Sequence, residues 1–118
     1  MKGTNIGEFE ELVLLVIGSL HPDAYGVSIK NEIRKLASRS VTLSTVHASL
    51  NRLEDKGMVL SQMGESTGKR GGKRKKYFTI TALGAKTLAE VREQREAIWR
   101  TIPETALQVK SAHYQIST

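Results

Sequence analysis

The sequence predicts a mainly α-helical chain carrying one small β-hairpin. Three observations lead there. Four segments repeat their apolar residues at the three-and-four spacing of a helix. Two short runs, Met58 to Met63 and Lys76 to Ile80, read as strands, with Phe78 and Ile80 sharing a face. Between the runs lies a stretch rich in Gly, Lys and Arg, from Gly64 to Lys75, long for a hairpin connection. At 118 residues the chain is sized for one domain with a single modest core.

The first helix is expected over Glu8 to Leu20. Phe9, Leu12, Val13, Val16, Ile17 and Leu20 form its stripe, and Glu8, Glu10 and Glu11 crowd its first turn, where the helix dipole favours anions. Leu14 and Leu15 add apolar surface off that stripe, so the helix is expected to be buried on two sides, against its own core and against a partner chain. His21-Pro22-Asp23 breaks the chain. A second helix follows from about Tyr25 to Ser38, with Ile29, Ile33, Leu36 and Ala37 on one face. Ser40 to Leu43 reads as a short extended piece, a candidate minor strand. Ser44 is placed to cap a third helix reaching about Lys56, buried through Val46, Leu50 and Leu53, with Gly57 ending it in a left-handed conformation. Thr81 is placed to cap a fourth, Ala82 to about Thr101, in which Leu88, Val91, Ile98 and Ile102 keep helical spacing with Trp99 beside them. Pro103 is expected to end it. The tail from Glu104 has too weak a pattern to exclude partial disorder.

Charge is concentrated. The chain carries 18 basic and 12 acidic residues, a net +6. Lys69, Arg70, Lys73, Arg74, Lys75 and Lys76 lie within eight positions that hold no acid, and setting them aside leaves 12 of each sign. The whole net charge therefore sits in one eight-residue segment, and such a segment on a neutral body favours a polyanionic partner over simple solvation. The absence of cysteine excludes disulfides and thiolate metal sites. His21, His47 and His113 are far apart without paired ligands, so no metal and no cofactor is expected. No apolar run reaches membrane-spanning length and no signal pattern opens the chain, so a soluble cytoplasmic protein is expected. Gly68-Lys69 has neither the spacing nor the hydroxyl residue of a phosphate-binding loop, and no catalytic constellation is visible.

The element order is three helices, then a two-stranded hairpin with a basic tip. Two helices joined by a short connection, the second exposing small and polar residues from its first turns, form a helix-turn-helix arrangement suited to double-stranded DNA. The outward face of the third helix carries Ser44, Thr45, Ala48, Asn51, Arg52 and Asp55, with His47 on its flank. Small Ser44 and Ala48 let a helix sit close in the major groove; Asn51 can pair with adenine, and Arg52 with guanine or a phosphate. Alone, such a face is as compatible with an ordinary surface helix. The basic tip shifts the balance, because it lies where it can reach the backbone or an adjacent minor groove.

At these residues the chain resembles the PadR family of bacterial transcriptional regulators. The matching segments are Gly7 to Leu15, Ala24-Tyr25-Gly26, Val46-His47 with Leu50 to Glu54 and Lys56-Gly57, and Arg70-Gly71-Gly72 through Tyr77 to Thr81-Ala82-Leu83-Gly84. They run in the family's order over residues 7 to about 102. The resemblance implies a winged helix-turn-helix DNA-binding domain over 1–81, a dimerisation helix over 82–102 and a tail over 103–118. It implies a recognition helix at Ser44 to Lys56, a wing carrying Lys69, Arg70, Lys73, Arg74 and Lys75, and a homodimer whose interface takes in Leu14, Leu15, Leu88, Val91, Ile98, Trp99 and Ile102. Members are mostly repressors, some released by small aromatic or drug-like ligands. A Tyr common in the recognition helix is His47 here, and a proline common after the second strand is Ala82. The short C-terminal part is similar to the compact subgroup with a single dimer helix. Two alternatives stay beside the DNA-binding repressor. One is a sensor in which an aromatic effector stacks near Trp99, against which plain interface packing of that ring is favoured; the other is a protein-interaction module whose basic loop meets an acidic partner.

Overall fold

Helix α1 spans Glu8–Leu20, α2 Gly26–Ala37 and α3 Leu43–Asp55; strand β1 spans Val59–Met63 and β2 Lys76–Ile80; α4 spans Ala82–Trp99 and a single turn, α5, Glu104–Leu107. The computed structural model describes residues 6–64 and 74–108. It divides into two compact units, Met1–Leu88 and Ala89–Thr118.

In the first unit, α1 to α3 pack around Val13, Leu14, Val16, Ile17, Ile29, Ile33, Val46, Leu50 and Leu53, and Met58, Val59 and Phe78 of the hairpin segment complete that core. Because α1 touches α2, α3 and β2, its buried arc is wider than one stripe. Leu14 is fully buried in the chain's own core, so it offers no surface to a partner, whereas Leu15 is half exposed. On α2 the core is met by Ile29 and Ile33, while Leu36 points outward.

Two local details differ from the sequence reading. Residues 40–42 form no strand, and the cap of α3 lies two residues earlier, at Thr42, whose hydroxyl accepts the Thr45 N–H at 3.1 Å. Ser44 lies inside the first turn, its hydroxyl 3.1 Å from that of Thr42. Three hydroxyl residues lie within four positions here, and the extended backbone of Thr42 decides which of them caps. At the other end Gly57 takes φ 76°, as expected. Its N–H donates to the Glu54 carbonyl at 3.0 Å and the Met58 N–H to Leu53 at 2.9 Å, the paired closure that satisfies the last carbonyls of a helix.

The hairpin is antiparallel, with Val59 opposite Ile80 and Met63 opposite Lys76. The outer edge of β2 is partly paired, since the Phe78 N–H donates to Ala24 at 2.8 Å. Thr81 then ties the hairpin to α3 and starts α4. Its N–H donates to Met58 at 3.0 Å, its hydroxyl donates to the Gly57 carbonyl at 2.7 Å, and the same oxygen accepts the Gly84 N–H at 3.1 Å. Gly84 is required by contact: a methyl there would stand 2.3 Å from the Met58 carbonyl oxygen.

In the second unit, Glu96 accepts from Arg92 at 3.0 Å and Arg100 at 3.4 Å, each one turn away. The helix ends at Trp99, before the expected Thr101, because the chain tightens to i−3 bonds from Thr101 to Ile98 and Ile102 to Trp99. Pro103, which has no N–H to extend the helix onto the Trp99 carbonyl, follows that turn and stands as the extended N-cap residue of α5.

Candidate nucleic-acid interface

Helix α3 buries Val46, Ser49, Leu50 and Leu53. Three- and four-residue steps along a helix return to one side, so Ser44, Ala48, Asn51 and Asp55 share the opposite face, and all four are exposed. The two flanks differ. On one, His47 lies over the start of α2: a methyl on Gly26 would stand 2.9 Å from its ring. Glu54 faces the same way and accepts the Ser61 hydroxyl of β1 at 2.6 Å. The other flank, with Thr45, Arg52 and Lys56, turns toward α1.

On that flank the structure corrects the expectation for Arg52. Its Nε donates to Glu10 Oε2 at 2.7 Å and its Nη2 to the Ser49 hydroxyl at 3.2 Å. Lys56 Nζ reaches Glu10 Oε1 at 2.7 Å, and the Gly7 N–H approaches the same oxygen at 3.3 Å. Arg52 therefore sits in an α1–α3 tie and is not aimed at a base edge. Burial alone would raise the Glu10 pKa, but the hydrogen bonds from Lys56, Arg52 and the Gly7 N–H outweigh it and hold the carboxyl below the ordinary 4.5. The sequence offered a signal for this: Glu10 precedes Val13, Leu14 and Ile17 at helical spacing, and an acid on a buried stripe requires donors.

Of the wing cations, Lys69, Arg70 and Lys73 lie outside the described residues. Arg74 donates from Nε to the Gly64 carbonyl at 2.8 Å, and the Gly64 N–H donates to Lys75 at 2.6 Å, closing the base of the wing. Lys75 Nζ stands 4.4 Å from the centre of the Tyr25 ring. Tyr25 in turn meets Tyr77 edge to face at 5.6 Å. The two tyrosines hold the wing base beside the start of α2, a role that sequence reasoning did not assign them. Among the expected interface residues, Leu88 is half-buried against the core and Val91 is buried, while Ile98 and Trp99 are 67% and 62% exposed and Ile102 is partly so.

The description "Transcriptional regulator PadR-like family" fits residues 13–90. The chain belongs to the PadR family. It is thus a DNA-binding transcriptional regulator with a winged-helix fold, mostly helical with one antiparallel hairpin. A PadR family transcription regulator from hypervirulent Clostridium difficile is 25% identical, with 86% of this chain and 99% of that one covered and a TM-score of 0.64. A PadR-like transcriptional regulator from Bacillus cereus has the same fold at 21% identity and TM-score 0.67, with 85% and 91% covered. An uncharacterised protein of Lysinibacillus sphaericus is 34% identical over 87 residues, which are 72% of this chain and 75% of the relative. No helix among the described residues of this PadR chain is long and apolar enough to cross a membrane.

Proposed function

We propose that this PadR regulator is a cytoplasmic homodimeric repressor that reads its operator with Ser44, Thr45, His47, Ala48 and Asn51 in the major groove. The observation that carries the reading is the make-up of α3: three small or neutral side chains on the face opposite the core, flanked by His47 against α2 and by an ion-paired tie to α1. A helix fixed on both flanks presents its outer face without wobble, and small side chains admit close approach to base edges. Asn51 is the bidentate reader of adenine. The wing cations Lys69, Arg70, Lys73, Arg74 and Lys75 supply phosphate contacts and most of the salt-sensitive affinity.

Leu15, Ile98, Trp99 and Ile102 supply the dimer surface, since exposed apolar groups of this size are covered in association. Two such subunits read half-sites about one helical turn, or a multiple, apart, and repression follows from occupying a promoter. The exposure of Trp99 also supports a second reading, in which a small aromatic effector stacks on its ring and releases DNA. Quenching of Trp fluorescence by candidate aromatics, together with loss of DNA binding, tests it.

The main test is capture of genomic fragments by the purified protein, followed by binding of the operator and of random duplex over a range of salt. Asn51→Ala weakens operator binding by about 1–3 kcal/mol and leaves random duplex unchanged. Replacing Lys69, Arg70, Lys73 and Arg74 by Ala weakens both DNAs. It also lowers the slope of log affinity against log salt by roughly 0.9 for each phosphate that is no longer neutralised. Equal operator binding by parent and Asn51→Ala would remove α3 from the interface, and an unchanged salt slope would make the wing a solvated loop.

A further inference from the structure

We infer that Glu10 is a positioning residue that withholds Arg52 and Lys56 from DNA, so that the recognition helix reads bases without a Lys or Arg side chain. The inference rests on the reading of α3 given above and adds to it a residue remote from DNA that sets specificity. Glu10 lies on α1, with its side chain 9% exposed. Both its oxygens are engaged, Oε2 by Arg52 and Oε1 by Lys56, each at 2.7 Å. Arg52 and the cap residue Lys56 are the Lys and Arg residues of the α3 segment, and both lean to the α1 flank. The outward face is left with Ser44, Ala48 and Asn51, and with Asp55 at its C-terminal end.

Arg52, with half its side chain exposed, has two possible anionic partners. A DNA phosphate would engage it in a solvent-exposed, salt-screened contact. The Glu10 carboxylate engages it inside the fold, and letting go would leave a buried charge short of a partner, which costs far more than a surface contact gains. The tie therefore persists on DNA. Phosphates are the same in every sequence, so a cation released onto them adds affinity without discrimination. Holding Arg52 and Lys56 back keeps the non-specific part of α3 binding low.

The test uses the full chain on a short random-sequence duplex and on an operator obtained by genomic capture, with salt titrations of each. For Glu10→Gln, random-duplex affinity rises. The salt slope steepens by about 0.9 for each cation freed onto a phosphate, and the ratio of operator to random affinity falls. A merely structural loss would weaken binding and leave the slope flat or shallower, which overturns the inference. The triple variant Glu10→Gln, Arg52→Gln, Lys56→Gln returns the slope to that of the parent; a slope that stays steep overturns it too. Arg52→Gln alone decides the matter if Glu10→Gln fails to fold by circular dichroism. An unchanged slope supports withholding, and a slope lowered by about 0.9 makes Arg52 a DNA contact. A parent that binds duplex DNA with no salt dependence and no operator preference would remove the reading of α3 itself. A parent with both properties, but without these variant effects, would remove only the role of Glu10.

Discussion

Gly84→Ala tests how tightly the start of α4 is seated on Met58, the residue before β1. The added methyl would stand 2.3 Å from the Met58 carbonyl oxygen and 2.9 Å from Ile80 Cγ2. It falls about 1 Å short of the 3.4 Å at which ordinary contact begins. The oxygen cannot swing aside, because it accepts the Thr81 N–H while the Met58 N–H is bonded to Leu53. Overpacking against movable side chains costs about 1–3 kcal/mol, and a backbone partner puts this site at the top of that range. Alanine returns up to about 1 kcal/mol of helix propensity. The net loss is then about 2 kcal/mol. At 4–8 °C per kcal/mol for a unit of this size, the melting temperature falls by about 8–16 °C. The assay is a thermal melt followed by circular dichroism at 222 nm (the helix signal). A melt unchanged from the parent, or raised, would refute the reasoning, since it would mean that the start of α4 retreats from Met58 at no cost.

Two further outcomes are expected. Ile98→Asp places a charge where an apolar group is covered in the proposed dimer; it shifts sedimentation toward monomer with a loss of several kcal/mol, about tenfold in dissociation constant per 1.4 kcal/mol, and a parent that is monomeric at micromolar concentration would dispose of the dimer. Glu10 has its folded pKa below 4.5, so the unfolded chain binds its proton first; the stability it contributes is complete above that value and is lost as pH falls through the lower, folded pKa. Denaturant titrations from neutral pH to about 3 should show a steeper acid loss for the parent than for Glu10→Gln, and parallel curves would show that the carboxylate is not held by its cations.

Where the chain's own periodicity decides the structure, the sequence was enough. The bounds of α1 and of β2 follow from apolar spacing, and the left-handed Gly57 follows from a glycine just past a buried stripe. Periodicity could not choose between Leu14 and Leu15, because adjacent residues on a helix differ only in which neighbours surround it, and α1 has three. The fate of Arg52 was hidden for a related reason. Its partner is 42 residues away, and an arginine beside an exposed face looks the same whether its guanidinium reaches DNA or bends back to a carboxylate. The aromatic support of the wing base, Tyr25 under Lys75 and against Tyr77, likewise joins α2 to β2 across the fold. For the central wing residues, which lie outside the described part, the sequence signal is the density of charge together with the family motif around Arg70-Gly71-Gly72.

The closure at Gly57 has a mechanical consequence. Leu53 bonds to Met58, Gly57 to Thr81 and Met58 to Thr81, so the reading helix runs into the hairpin with no slack segment between them. Two prongs joined by a rigid bridge act as a caliper. In the DNA-binding mode proposed above, α3 would enter a major groove and the hairpin would face the neighbouring backbone, with the end of α3 and the start of α4 already tied together before DNA arrives. Under that proposal the pair would measure the duplex as well as read it. A site with the right bases but the wrong groove width would engage one prong and strain the other, so the stiffness of base steps that no side chain touches becomes part of the operator.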